Sequence, residues 1–421
     1  MDFIPLMALI LTLINGDCMT VAESWCMAMA DISKLEQQES FADEYGDRIA
    51  EWELFAVALI CNELGRIGKM TPEQAKKYDA EKETKKTEKI ILSALTTAVL
   101  LNIKDLPKTY TSLFDEWHKG NEYMYKYRGV PFVDVADNKG LQKIINAYSK
   151  KSGAELLDFT KTKAIKVLDA NGKPVAFREQ ILKSFKEATD LVTSGKQDFY
   201  TTMRKTVLDL GGSGARVEYP NGMTRRLDTV VRQNMLYNAK MSSREYNKQI
   251  GKELGTDGIE IDLHANSRPS HRFMEGKQYA KGHTVTINGV KYEGAIDKGV
   301  YDRLYKDYNC QHYETDIILG VSEPRYSPEE LARLKAENEK QYEINGISKD
   351  GYGWSQVLRH YEAETRNAKD QINALKAFGN SETQIADLNK KIKAYRQKYN
   401  EICDVTGIKP VLKRMSVPKA K

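Results

Sequence analysis

The sequence predicts an α+β protein that is mostly α. Apolar residues recur at steps of three and four through two long, charged stretches, Thr20 to about Tyr127 and Ser327 to about Cys403, which is the period of helices with one buried face. Between them, alternating runs joined by Asn-Gly mark hairpins. Four of the six histidines, His264, His271, His283 and His312, fall between Ile259 and Ser322, with Cys310 two residues before His312. A chain of 421 residues is too long for one ordinary core. The patterning divides it into a helical domain (1–127), a mixed connecting region with a short hairpin (128–214), a small α+β module carrying the His/Arg/Cys cluster (215–327), and a helical hairpin with a basic tail (328–421).

Taken in order, Phe3 to Ile14 is apolar for about a dozen residues, short of the ~20 that span a bilayer, and follows Asp2 rather than a basic segment. A buried N-terminal helix is expected there, and no membrane partner. Trp52, Phe55, Ala56, Leu59 and Ile60 mark a helix face, and breaks are expected at Gly65–Pro72 and near Pro107. Thr71-Pro72-Glu73-Gln74 is a helix start: a hydroxyl cap, Pro in the first turn, then an acid near the positive end of the dipole. Ile90 to Leu101 is apolar on most sides and is expected to be buried.

Ala164–Leu168 and Val175–Phe177 read as a short hairpin turned at Asn171-Gly172, followed by a helix over Glu179–Val192. Asp209-Leu210-Gly211-Gly212-Ser213-Gly214 lacks the Lys-Ser/Thr ending of a phosphate loop and reads as a turn. Ala215–Tyr219 then reads as a strand, Pro220-Asn221-Gly222 as a turn, and Arg225–Asn238 as a helix. Ile259, Ile261 and Leu263 alternate as one face of a strand. Thr284–Ile287 and Val290–Glu293, joined by Asn288-Gly289, predict a type I′ hairpin, since both turn positions need positive φ. Ser327-Pro328-Glu329-Glu330 opens a helical region reaching Cys403. Its two seams, Leu358, Tyr361, Thr365, Ala368, Ile372, Leu375 and Ile385, Leu388, Ile392, Tyr395, Tyr399, Ile402, both step 3,4,3,4,3. They predict an antiparallel hairpin of two arms, with Ser381 capping the second.

Charge and cysteine content narrow the function. The net charge of +5 is mild and carries no global argument for nucleic acid. Its distribution is uneven: from Leu388 to the end, ten Lys/Arg face two acids, which leaves −3 for everything before. A basic end of this kind is either a solvated tail or a contact for DNA or an acidic protein surface, with Lys409, Lys413, Arg414, Lys419 and Lys421 as the contact residues. Five scattered cysteines form no disulfide framework and suit a reducing compartment; Cys18, Cys26 and Cys61 read as core fillers. No nucleophile elbow, phosphate loop or H-E-x-x-H is present, so no catalytic residue and no cofactor-binding motif is assigned, and a structural protein is favoured over an enzyme.

The candidate chemistry lies in the histidine-rich module. His264, His271, Cys310 and His312 are borderline-soft ligands that suit Zn²⁺, which takes four of them tetrahedrally, although the spacing matches no standard finger. The same histidines could instead hydrogen-bond backbone carbonyls. Alternatively, Arg268, His271, Arg272 and His312 could grip phosphate as in small nucleases, Arg by bidentate forks and His by proton transfer.

Taken together, His264-Ala-Asn-Ser-Arg268-Pro269-Ser270-His271, Gly276-Lys277-x-Tyr279, Asn309-Cys310-Gln311-His312 and Gly320-Val321-Ser322-Glu323 resemble the tailed-phage minor capsid protein 2 family, related to Mu-type head-morphogenesis proteins. Val217-Glu218-Tyr219-Pro220-Asn221-Gly222, with Leu227 to Arg232, resembles that family's strand, turn and Arg-bearing helix, and Glu401–Ile408 its closing helix. This chain departs from the pattern at Phe273-Met274-Glu275, where the family has an aromatic-Gln step, at Gln311, where it has Arg, and before Gly320, where a proline is missing. The resemblance implies a minor head protein of the virion, assembled in the host cytoplasm. It would bind portal and capsid proteins, with DNA reached through the basic tail, in head morphogenesis or genome delivery. It further implies that His264, Arg268, His271, Cys310 and His312 hold the module together, with Arg232 a structural or phosphate contact. The alternative is a toxin-like nuclease carried in the virion.

Overall fold

The structure is a computed structural model that describes residues 19–161, 165–169, 171–195, 198–307, 310–379 and 381–418, with side chains from residue 38 on. The Phe3–Ile14 run, Cys18, the Cys26 side chain, Asn309, Lys419 and Lys421 lie outside the described residues. The fold is α+β and mostly α.

Helix α1 (Met19–Ile67) is followed by α2 (Pro72–Lys76), whose Thr71 and Gln74 form a reciprocal capping box. Helix α3 (Ala80–Gly120) runs straight through Pro107, where the sequence predicted a break. A proline inside a helix costs about 3 kcal/mol. Here Leu106, Tyr110, Leu113, Phe114 and Trp117 keep one apolar stripe buried across it, which offsets that cost. Over Ile90–Leu101 the expectation of all-round burial is corrected: Ile91, Leu95 and Val99 are buried, while Ile90, Leu100 and Leu101 are exposed. This helix is long and apolar enough to cross a membrane by length and composition alone.

After α4 (Glu122–Arg128) and α5 (Lys139–Asp158), two hairpins are each followed directly by a helix. The first is β1 (Ile165–Leu168) and β2 (Pro174–Ala176), leading into α6 (Phe177–Ser194). Helix α7 (Phe199–Ser213) intervenes, then β3 (Arg216–Glu218) and β4 (Thr224–Arg226) lead into α8 (Leu227–Leu254). The β4 strand was not expected; Thr224–Arg226 pairs with β3 before the helix begins at Leu227. The hairpins join through β1 and β3, Ile165 opposite Val217, into one antiparallel sheet of order β2-β1-β3-β4. Their sequences match fifty positions apart: Val167 and Val217, Asn171-Gly172 and Asn221-Gly222, Phe177 and Leu227, Ile181 and Val231. The Gly-rich stretch before β3, expected as a turn, is the last turn of α7. There Gly211 and Gly212 lie against Ala374 and Gln371, too close for a side chain.

The module that follows holds β5 (Gly258–Ile261), β6 (Gln278–Ala280), β7 (Val285–Ile287), β8 (Val290–Tyr292), α9 (Val300–Tyr305) and β9 (Glu314–Ile317). Strands β6-β5-β9 form an antiparallel sheet over a core of Ile259, Ile261, Met274, Tyr279, Ala295, Val300 and Leu304. The β7–β8 hairpin turns as expected, with Asn288 at φ 50 and Gly289 at φ 81. Helix α10 (Pro328–Glu339) is capped by Ser327. The continuous helical run expected from there is interrupted by a hairpin of β10 (Gln341–Ile344) and β11 (Ile347–Asp350), turned on Asn345-Gly346 with both residues at positive φ. The same Asn-Gly signal read at Asn288 was present here. Helices α11 (Gly351–Phe378) and α12 (Glu382–Thr406) form an antiparallel pair with Tyr361 against Tyr395. The α11 seam is mostly buried, whereas in the α12 seam only Tyr399 and Ile402 are. Ser381 precedes α12, but its hydroxyl donates to Gly379 O (2.8 Å) instead of capping.

Contacts sort the chain into two units. One comprises the chain up to Ser40, Pro107–Tyr148 and Tyr237–Ala336; the other comprises Phe41–Leu106, Ser149–Leu236 and Glu337 onward. The second unit is centred on a buried charge cluster. Arg226, at the end of β4, reaches Glu53 of α1 (3.0 Å), Asp370 of α11 (2.6 Å) and Asp228 of α8 (3.5 Å), and Arg366 also bonds Asp228. Glu53 Oε1 accepts from the Ala215 N–H (2.6 Å).

Burial pushes the Glu53 carboxyl up to about 7, with Asp228 and Asp370 adding to the rise and Arg226 opposing it. The folded value lies above the ordinary unfolded one, so the native state holds this proton more tightly. The stabilisation is full below the unfolded pKa of roughly 4.5 and is lost as pH rises through about 7. Urea unfolding from pH 5 to 8 should therefore show wild type losing stability relative to Glu53→Gln, and parallel curves would contradict this. Gly214 (φ +59) abuts the Glu53 carboxylate, whereas Gly129 (φ +65) has open space. Gly129→Ala should cost about 1 kcal/mol and Gly214→Ala at least ~3 kcal/mol in the same assay.

Candidate functional site

The histidine-bearing residues are brought together by the ends of β5 and β9. Past Ile261, the chain leaves the sheet through Asp262 and His264 and turns at Asn266 (φ 58). It then makes a 3₁₀ turn over Pro269–His271 before returning through Glu275 and Gly276 to β6. Asp262 holds the other end in place, its Oδ1 accepting from the Tyr313 N–H (2.7 Å), and so sets His312 opposite His271.

His271, Cys310 and His312 converge, each offering a ligand atom, with all such atoms within 4.8 Å of one another. The two Nδ1 atoms are 3.4 Å apart, and Cys310 Sγ lies 3.6 Å from His312 Nδ1. The far nitrogens are both held by carboxylates: His271 Nε2 by Asp307 (2.9 Å) and His312 Nε2 by Glu275 (2.7 Å). Glu275 is itself fixed by the Ser267 hydroxyl (2.9 Å), and Asp307 by Arg303 (3.2 Å). His271 and His312 are 2% and 3% exposed, so neither stands ready for a bulky substrate. His264 packs edge-on against the His312 ring at 4.7 Å, with its Nε2 2.7 Å from Asp262.

The electrostatics favour a thiolate. Burial opposes ionisation of Cys310, but hydrogen bonds from His271 and His312 and the charge of Lys240 outweigh it and bring the thiol down to about 5. Burial likewise opposes charge on His312, yet hydrogen bonds to Cys310 and Glu275 and the charge of Asp262 lift it to about 9. Cys61, by contrast, is pushed up to about 12 by burial. Lys240 is itself buried; its ammonium donates to Cys310 O (2.8 Å) and lies over the Tyr305 and Tyr313 rings.

The remaining expected contacts are placed elsewhere. Arg272 donates twice to Ser267 O (3.2 and 3.1 Å), closing its own loop, and the Arg268 carbonyl accepts from the His271 N–H (2.9 Å). In the other unit, Arg232 pairs with Asp43. Lys413 lies against Asp43 (3.1 Å) and Asp47 (3.6 Å), Arg414 is near Glu362, and Lys409 is exposed. The chain to Pro418 is not a loose tail: Met415 is buried, its carbonyl accepts from Lys369 (2.7 Å), and Pro418 O accepts from Asn373 (3.3 Å). Sequence reasoning missed Glu275, Asp307, Asp262 and Lys240, which orient the cluster. The signal for Glu275 was its place beside Gly276 in a block already singled out.

A family model described as Phage minor capsid protein 2 matches residues 50–404. No curated protein and no solved structure matches the chain.

Replacing Lys240 by Met keeps the apolar stem but leaves the Cys310 carbonyl without its donor. Lys240→Met should cost about 2 kcal/mol in chemical denaturation, and a loss below ~0.5 kcal/mol would show the buried ammonium to be dispensable.

Proposed function

This chain belongs to the phage minor capsid protein 2 family, and on that premise we propose that it acts at the portal or inner capsid in head morphogenesis or genome delivery. A phage minor capsid protein is a component of the virion and associates with other virion proteins. The match over residues 50–404 carries the reading, since it takes in both units rather than one grafted module. The finer role draws support from the α11–α12 pair. Lys390, Lys391, Lys393, Arg396 and Lys398 are all exposed on α12, a basic surface on a two-helix arm suited to an acidic capsid face or to packaged DNA. The free thiols Cys61, Cys310 and Cys403 suit assembly in the reducing cytoplasm of a host. A virion-borne nuclease finds less support: His271 and His312 are buried with their outer nitrogens on carboxylates, and Arg272 is spent on a backbone carbonyl.

Mass spectrometry and cryo-electron microscopy of purified particles test this reading. The chain should be present at low copy and in density at or near the portal vertex, and its absence from particles would overturn the proposal. Charge reversal of Lys390, Lys391, Lys393 and Arg396 should reduce incorporation severalfold with helix content unchanged. If DNA is the partner, the slope of log K against log salt should flatten by about 0.9 for each phosphate no longer neutralised.

A further inference from the structure

The hydrogen-bond pattern at the cluster poses a chemical problem. Both outer imidazole nitrogens face carboxylates, at 2.9 Å for His271 and 2.7 Å for His312, so each Nε2 carries its proton outward. The two Nδ1 atoms then face each other across 3.4 Å with the Cys310 sulfur beside them. Two imidazole nitrogens and a sulfur converge in a buried place, all within 4.8 Å of one another, an arrangement that suits a single cation.

Two of the three separations fit a particular cation, and all three lie within 4.8 Å. With Zn–N near ~2.05 Å and Zn–S near ~2.3 Å, tetrahedral angles place two nitrogens ~3.4 Å apart and a nitrogen and sulfur ~3.6 Å apart. The structure has 3.4 Å and 3.6 Å. The outer carboxylates are the partners that ligating imidazoles ordinarily have, fixing tautomer and ring orientation. Asp307, which holds His271 Nε2, also lines a surface cleft of about 430 Å³ with Phe273, Lys298, Asp302, Arg303 and Lys306.

We propose that His271 Nδ1, His312 Nδ1 and Cys310 Sγ bind one zinc ion, with Asp307 and Glu275 as positioning residues. His264, grouped with these three by its residue type, is left out as a ligand because its Nε2 is turned to Asp262. Three protein ligands leave a fourth tetrahedral position for water. Binding releases to solvent the one proton held between Cys310 Sγ and His312 Nδ1 and changes no oxidation state.

The test uses the full-length chain, purified without a histidine tag. Elemental analysis should give about one zinc per chain. Cys310→Ser and His271→Ala should lose it, and His264→Ala should keep it, each with its fold checked by circular dichroism. Should either ligand variant fail to fold, wild type stripped by a chelator and titrated with Co²⁺ gives the same answer, through a thiolate-to-cobalt charge-transfer band and slowed alkylation of Cys310. Glu275→Gln should weaken zinc affinity about 10–100-fold, an effect a merely packing role would not produce. Folded wild type that neither carries zinc nor takes up Zn²⁺ or Co²⁺ would overturn the proposal. So would retention of zinc in folded Cys310→Ser, or its loss in folded His264→Ala.

Discussion

A single guanidinium ties together the larger of the two units. Arg226 stands at the junction of a strand and a helix, and the three carboxylates around it come from α1, α8 and α11, stretches far apart in sequence. Such a group is costly to take from water, and it is tolerated only when every donor finds an acceptor. Its two Nη atoms meet that condition on Asp370 and Glu53, while Nε reaches only the Asp228 carboxylate at 3.5 Å; Glu53 also takes the Ala215 N–H, and Gly214 makes room for it by having no side chain. Removing one partner would leave the others charged and buried. The cluster therefore specifies how these elements meet more than it adds net stability.

The local structure was legible wherever the signal was local. The Asn288-Gly289 hairpin, the Thr71 capping box and the helices on either side of Gly65–Pro72 follow from turn chemistry and caps confined to a few residues. The errors arose where a distant partner decided the outcome. Pro107 does not break its helix because the stripe from Leu106 to Trp117 stays buried on both sides of it. Gly211 and Gly212 belong to a helix because α11 passes against them. The β10–β11 hairpin is a different case: Asn345-Gly346 carried the same signal as Asn288-Gly289, and the strong helical period on both sides of it masked that signal.

The candidate site was half legible. Histidines are scarce in this chain, so their concentration near Cys310 drew attention to the right residues. Their partners did not, because acids are common and nothing in a sequence separates a solvated Glu from one that holds an imidazole. Asp262, Glu275, Glu314 and Asp316 are nearly buried, although acids along this chain look like surface residues by spacing. Glu275 is instructive. It stands where the resembled pattern has Gln, and a carboxylate there is a stronger acceptor for the His312 N–H than an amide oxygen. Chemistry that depends on pairs of residues tens of positions apart becomes visible only once the backbone is placed.

The interleaving of the two units bears on the order in which the chain can be made. Each unit draws on three separated stretches, so the polypeptide passes between them five times from one terminus to the other. On a ribosome, the Glu53 helix emerges more than 300 residues before the Asp370 helix that completes its charge cluster. Neither unit can close while translation is still in its first half, and long-range closure of this kind is slow and exposes apolar surface in the interim. A nascent chain of this protein therefore keeps apolar surface exposed for longer than a similar length built from consecutive domains.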